Sequence, residues 1–197
     1  MTSELILSRL RRMIMLDMTV FPEVRDDRSF TPVVAGLAAA AVFVAGLGAF
    51  LYGQYGQTEV SSRADNWFLE TAIMGSIFTI ILLAASIALT YVVLAEIFKV
   101  PITLDGLGRV LALCYTVYAV SFFVFLPEIG FTFGMLSIAA MFYYAVSGVR
   151  AAAPEVSRGA AVLSVGAGFV LWITVMALIS DPGDNFFNGP FVYSIGD

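Results

Sequence analysis

The chain has 197 residues, of which 60% are hydrophobic and 13% charged, against roughly a quarter charged in soluble domains. With a mean hydropathy of +0.92 it reads as one integral membrane domain and not as a soluble one. The lack of histidine removes the commonest general base and metal ligand, and one cysteine, Cys114 in an apolar run, rules out an internal disulfide and reads as a small buried hydrophobe. The net charge of −5 says little about partners, because it sums over two sides of a membrane.

Residues 1–31 are expected to form a cytoplasmic amphipathic segment. From Leu5 to Leu16 the spacing predicts a helix lying on a surface. Leu5, Ile6, Leu7, Leu10, Met13, Ile14 and Leu16 share one broad arc, with Glu4, Ser8, Arg11 and Arg12 on the remainder. Arg9 falls at the arc's edge, where its stem can snorkel, while Met15 and Asp17 break the pattern. The segment is too short and too charged to span a membrane, so it reads as interfacial. A short helical turn follows at Phe21–Arg25, and Thr31-Pro32 suits a helix start, threonine as a cap and proline in the first turn. A cleavable signal peptide would need an apolar core directly after the first arginines; the first long apolar run begins only at Val33, so it is expected to stay as an anchor.

The membrane domain is expected over 32–180, with five spans at 33–52, 71–98, 107–126, 131–149 and 159–179. The first is rich in small residues (Gly36, Ala40, Gly46, Gly48), which let helices approach closely in lipid. Glu59, Arg63 and Asp65 make the next loop polar, and Trp67 suits an interface. The second span is the longest: its 28 residues would extend about 42 Å at roughly 1.5 Å each, beyond a hydrocarbon core of about 30 Å. It should tilt or project on the side of Glu96 and Lys99, which are close enough in sequence to face each other. Pro101 ends that helix and Asp105-Gly106 can begin the next. Pro127-Glu128-Ile129-Gly130 makes the third and fourth spans an antiparallel hairpin. In the fifth, Ser164 and Gly168 stand at small-xxx-small spacing. The tail, 181–197, is expected to be external, acidic and aromatic.

Threading follows from the basic residues. With five spans and a cytoplasmic N-terminus, Arg9, Arg11, Arg12, Arg25, Arg28, Lys99, Arg109, Arg150 and Arg158 lie inside and only Arg63 outside. The fold class is therefore an all-α integral membrane protein of five transmembrane helices plus an N-terminal amphipathic interfacial helix. Its N-terminus would lie inside and its C-terminus outside, in the cytoplasmic (inner) membrane.

The span centres carry no ionisable residue, which weighs against a proton-coupled pump. No metal-ligand spacing, nucleotide motif or nucleophile–base pair is visible, so no catalytic residue, cofactor or metal is expected. Nothing points to nucleic acid. Glu96, Lys99 and Arg109 could together hold an anionic headgroup or a partner, although such a group is more often a solvated ion network. Tyr91, Tyr115, Tyr118, Tyr143 and Tyr144 could line a cavity, although tyrosines of this kind more often belong to interfaces and bundle cores.

The residues from Arg12 to Thr31, RMIMLDMTVFPEVRDDRSFT, resemble the N-terminal segment of prokaryotic Yip-domain proteins. In that family an amphipathic helix precedes a Leu-Asp-x-x-x-Phe/Tyr-x-Glu-Val-x-x-Asp pattern and a small-residue first span. Phe98 to Tyr115, FKVPITLDGLGRVLALCY, looks like the family's loop into the third span, and the likeness extends over about residues 9 to 180. The chain departs from the family at Tyr118–Ser121, where members often carry a proline, and in its aromatic-acidic tail. The resemblance implies a five-span membrane protein. The GTPase partnership of eukaryotic members is not carried over to the prokaryotic branch.

The expected function is a non-enzymatic scaffold or accessory subunit of a larger membrane complex, with membrane lipids and a protein partner as contacts. Arg9, Arg11 and Arg12 would meet anionic lipid or that partner, and Phe186, Phe187, Phe191 and Tyr193 would dock on the far side. The alternative is a small-molecule or lipid transporter, or a scramblase, with a cavity between spans two to four.

Overall fold

The computed structural model describes residues 3–55 and 68–179. Among these the chain is all helical, without a strand: α1 (Ser3–Ile14), α2 (Val20–Asp26), α3 (Thr31–Tyr55), α4 (Gly75–Val92), α5 (Leu104–Tyr115), α6 (Gly130–Ala152) and α7 (Arg158–Ile179). Five stretches are long and apolar enough to cross a membrane: Arg28–Tyr52, Thr71–Ile97, Leu104–Phe125, Gly130–Ala152 and Arg158–Met176. This is a multi-pass membrane bundle by helix length and composition. Glu59, Arg63, Asp65 and Trp67, and the tail aromatics Phe186, Phe187, Phe191 and Tyr193, lie outside the described residues.

Span three is the centre of the bundle. In its apolar window 56% of residues are buried, against 33–44% in the other four. It is also the span that departs most from a plain helix. At Thr116 the α-helix tightens into a ten-residue 3₁₀ stretch, Thr116–Phe125, although such runs rarely exceed three or four residues. Two local causes are visible. Both the amide and the hydroxyl of Thr116 turn to the carbonyl of Leu113, which draws the chain into the tighter turn. The sequence TVYAVSFFVF is also dominated by β-branched and aromatic residues, which lose rotamer freedom in an α-helix. The packing then repeats every third residue: Tyr118, Ser121 and Val124 form one buried column, as three residues per turn requires. Ser121 hydrogen-bonds Ser137 of α6 from that column.

Span two is widened at both ends, with π-helical turns at Leu69–Met74 and Val93–Ile97. Hydroxyls compete for backbone carbonyls beside each of them. Ser76 donates to the carbonyl of Ala72 at 2.5 Å and Thr90 to that of Ser86 at 2.8 Å. The second wide turn closes with the Phe98 amide on the Val93 carbonyl at 3.1 Å.

Small residues set the helix contacts. A side-chain carbon on Gly48 of α3 would collide with the Phe122 carbonyl oxygen, so only glycine lets α3 meet the 3₁₀ stretch this closely. Gly168 of α7 plays the same part against α4, where an added carbon would lie 2.7 Å from the Ser86 carbonyl oxygen. At that contact Ser86 Oγ donates to the Gly168 carbonyl at 2.9 Å. The turn between spans three and four relies on Glu128 in the left-handed region (φ 65°) and closes with the Gly130 amide on the Leu126 carbonyl at 2.8 Å.

Trp172 of α7 fills the middle of the bundle, edge-on to Tyr118 with centroids 6.0 Å apart and to Phe169 at 6.1 Å. Tyr115 and Tyr118 are buried core residues, whereas Tyr143 is exposed.

Candidate functional site

The polar residues gather at one end of the bundle, where α1 and α2 cross it. Four arginines hold this cap in place. Arg9, only 7% exposed, donates from Nη1 to Oδ2 of Asp27 at 2.8 Å, and its guanidinium carbon lies 4.5 Å from the ring centroid of Phe30. The sequence places Arg9 at the rim of an apolar arc. The fold turns it inward with Met13, because the 3₁₀ turn Arg28–Phe30 brings a carboxylate and an aromatic face beneath it. Desolvated beside a ring, a guanidinium of this kind gains about 1–2 kcal/mol from the ring alone.

Arg12 ties the α1–α2 connection together. It reaches Asp17 Oδ2 at 2.8 Å and takes Glu23 as a two-pronged partner, both contacts at 2.8 Å. Hydrogen bonds from Thr19, then the Arg12 guanidinium, hold the Asp17 carboxyl down at about 2. Arg12 likewise lowers Glu23, and Ser29 followed by Arg9 lowers Asp27. Leu16, at φ 61°, supplies the left-handed residue that ends α1 and lets the chain turn back.

Arg109 of α5 anchors the cap to the spans. It is 4% exposed and uses its whole fork. Nε lies 3.1 Å from the carbonyls of both Val24 and Arg25, and Nη2 donates to Arg25 as well. Nη1 donates to Thr31 Oγ1 at 3.0 Å and to Asp105 Oδ2 at 2.5 Å. A cation here meets the orphan carbonyls at the C-terminal end of α2, where the helix dipole favours positive charge. Arg25 repeats the device on α6, donating to the Ala152 carbonyl while paired with Asp26 at 2.7 Å. Thr103 caps α5 by accepting from the Gly106 amide at 3.2 Å, which sets the register that brings Arg109 to α2.

The structure thus divides the residues that the sequence groups together. Arg9 and Arg12 face partners within the cap, while Arg11 is exposed. Glu96 and Lys99 form an exposed pair at 3.3 Å, a contact of little energetic weight. Arg109 belongs instead with Asp105, Thr31 and α2. Asp27, Phe30 and Asp105 are the partners that sequence reasoning missed. Only Asp105–Arg109, four residues apart on a helix, left a local signal; the partners of Arg9 come from a turn that spacing does not reveal.

Two cavities adjoin the cap. One, of about 630 Å³, is polar and lies between Arg25, Arg28, Asp105, Arg109 and Glu155. The other, also about 630 Å³, is apolar and runs from beneath α1 between α3, the 3₁₀ stretch and α6. It therefore draws on spans one, three and four. Among the described residues no group of three or more His, Cys, Asp and Glu is placed to hold a metal ion.

The arrangement is that of a multi-pass membrane protein with a helical cap clamped across the ends of its spans. No protein-family model, curated protein or solved structure matches the chain.

Proposed function

We propose that this protein is a non-enzymatic scaffold or accessory subunit of a larger assembly in the cytoplasmic membrane. Its N-terminus would be cytoplasmic and its C-terminus outside, with α1 along the inner leaflet. The observation that carries the reading is the clamped cap. Arg9, Arg12 and Arg109 fix α1 and α2 on the bundle, while Leu5, Leu7, Ile14, Met15 and Leu16 stay exposed. Exposed apolar side chains beside basic ones, on a cap already held in place, suit an interface of lipid and protein, because little ordering entropy is lost on docking. The basic bias toward one side supports the orientation. The Leu-Asp…Glu-Val…Asp pattern of this same cap supports membership of the Yip-domain family's prokaryotic branch.

The test is native pull-down in mild detergent, with the intact protein compared with Leu7→Glu and Ile14→Glu. A specific protein is expected with the intact chain and lost with both variants, while circular dichroism remains unchanged. Recovery of the bare monomer in every case sinks the scaffold reading.

A second reading, a lipid transporter or scramblase, has one observation in its favour: the apolar cavity beside a 3₁₀ stretch, a conformation that often marks a hinge. Its mark is phospholipid flux in proteoliposomes. A rate equal to that of protein-free vesicles removes it.

A further inference from the structure

The apolar cavity has the chemistry of a hydrocarbon site. Its roof is α1, through Leu10, Met13 and Ile14. Its walls are Ala40 and Val44 of α3, Val120 of the 3₁₀ stretch and Ala140 of α6. Of the three hydroxyl-bearing residues on its lining, Thr116 donates to the Leu113 carbonyl at 2.7 Å and Ser137 to the Gly134 carbonyl at 2.8 Å, and the third is Tyr144. Little is left that would reward a polar guest. The cavity is also elongated. From Leu37 to Val44 the lining advances seven residues along α3, about 10 Å at roughly 1.5 Å per residue, from the capped end into the span.

The local tightening of span three helps explain this hollow. Three residues per turn place Tyr118, Ser121 and Val124 inward as one column. The neighbouring columns, Val117–Val120 and Thr116–Ala119, are left to line the hollow. The small side chains opposite, Ala40, Ala41 and Ala140, do not fill it.

Its surroundings indicate the occupant. The hollow opens on the flank of three apolar spans, with Leu136 and Ile14 exposed at its rim. Arg11, exposed, follows Leu10 of the roof in sequence and projects about 100° from it around α1, toward the outer side of that helix. Arg9 and Arg12 are ion-paired within the cap, and among the described residues Arg11 has no such partner. An apolar slot roofed by a helix that also carries an exposed cation, one without an ion pair among the described residues, complements a chain with an anionic head.

We infer that this crevice binds one acyl chain of an anionic phospholipid, roofed by α1, with the lipid phosphate at Arg11. The inference deepens the proposed function, since it rests on α1 lying along the leaflet.

The experiment uses the full chain in nanodiscs containing phosphatidylglycerol or phosphatidylcholine, each with a diazirine on one acyl chain. Photolabelled peptides are then mapped by mass spectrometry. Label is expected to concentrate on 37–44, 117–120 and 136–140 over the equally apolar, exposed Leu163 and Val170 of α7. Ala140→Phe should remove the crevice label while leaving that on α7. The milder Ala40→Leu should lower it, in case the larger side chain disturbs folding. Arg11→Gln should cost the phosphatidylglycerol probe about fivefold in preference, the weight of one basic side chain at an anionic surface. Equal labelling of the crevice and α7, or interchain crosslinks in place of lipid label, overturns the site. An unchanged lipid preference in Arg11→Gln overturns the headgroup contact. Selective labelling with no partner in the pull-down would sink the scaffold reading alone, and partner recovery with uniform labelling would sink this one alone.

Discussion

Arg9 and Asp27 meet at 2.8 Å across eighteen residues of chain, joining α1 to the turn that leads into the first span. The pair is mostly shielded, with side-chain exposures of 9% and 24%. It therefore differs from the solvent-screened pair at Glu96 and Lys99.

A double-mutant cycle on Arg9→Ala and Asp27→Ala is expected to give a coupling of about 1–3 kcal/mol, the range for a charge-assisted hydrogen bond with limited solvent access. Hydrogen exchange of the α1 amides would read it. Each single variant should raise exchange throughout α1 and leave α5 and α6 unchanged. Additive effects would show that Phe30 stacking, and not the ion pair, holds Arg9.

The cap should loosen in acid. Asp17, Glu23 and Asp27 all titrate below their ordinary values of 3.8, 4.5 and 3.8 because of hydrogen bonds and arginine partners. Groups with depressed folded values bind protons more readily when unfolded. Their stabilisation is complete above about pH 4.5 and is lost as the pH falls toward about 2, where Asp17 protonates. Distances between spin labels on α1 and α6, measured from pH 7 to pH 2, should be constant above pH 5 and broaden below pH 4. A transition near pH 6 would contradict this assignment.

Arg109→Lys is not conservative. The guanidinium serves Val24, Arg25, Thr31 and Asp105 at once, and an ammonium cannot span that set. A loss of about 2 kcal/mol is expected for lysine, and about 3 kcal/mol for methionine, which leaves helix-end carbonyls and Asp105 without a partner. Denaturation in bicelles would report both. An unchanged lysine variant would mean that one contact, Asp105, carries the anchor.

The α4–α7 contact separates shape from hydrogen bonding. Ser86→Ala removes the bond to the Gly168 carbonyl and should cost about 0.6 kcal/mol, the usual worth of such a bond in a membrane. Gly168→Val forces carbon atoms onto the Ser86 carbonyl and should cost about 2–3 kcal/mol through overpacking. The reverse order would make the bond, not the close approach, the determinant.

The five apolar stretches were legible in the sequence because hydrocarbon-length runs leave few alternatives. The Gly168 contact was legible too, since small residues four apart imply a close approach. Two features were not. The spacing of Tyr118, Ser121 and Val124 fits one face of a short α-helix as well as a 3₁₀ column, so hydropathy could not separate them. Arg9 looked like a lipid-facing cation on a helical wheel, because a wheel contains no Asp27 or Phe30. Arg109 seemed to belong with Glu96 and Lys99 by proximity in sequence, whereas the carbonyls at the end of α2 compete for it and win through the number of contacts. The polar clamp is largely tertiary, and its local components are Asp105–Arg109, Arg12–Asp17 and Arg25–Asp26.

The 3₁₀ stretch also acts as a spacer. Its ten residues advance about 20 Å at roughly 2.0 Å each, where an α-helix would cover about 15 Å. Span three therefore delivers the Leu126–Gly130 turn about one α-helical pitch further along than its residue count suggests. Rewinding the stretch to α would retract that turn by about 5 Å, pull Ser121 away from Ser137 and slide Phe122 off Gly48. The depth at which the hairpin tip sits is thus written in hydrogen-bond spacing, and a change of helix type alone would move it.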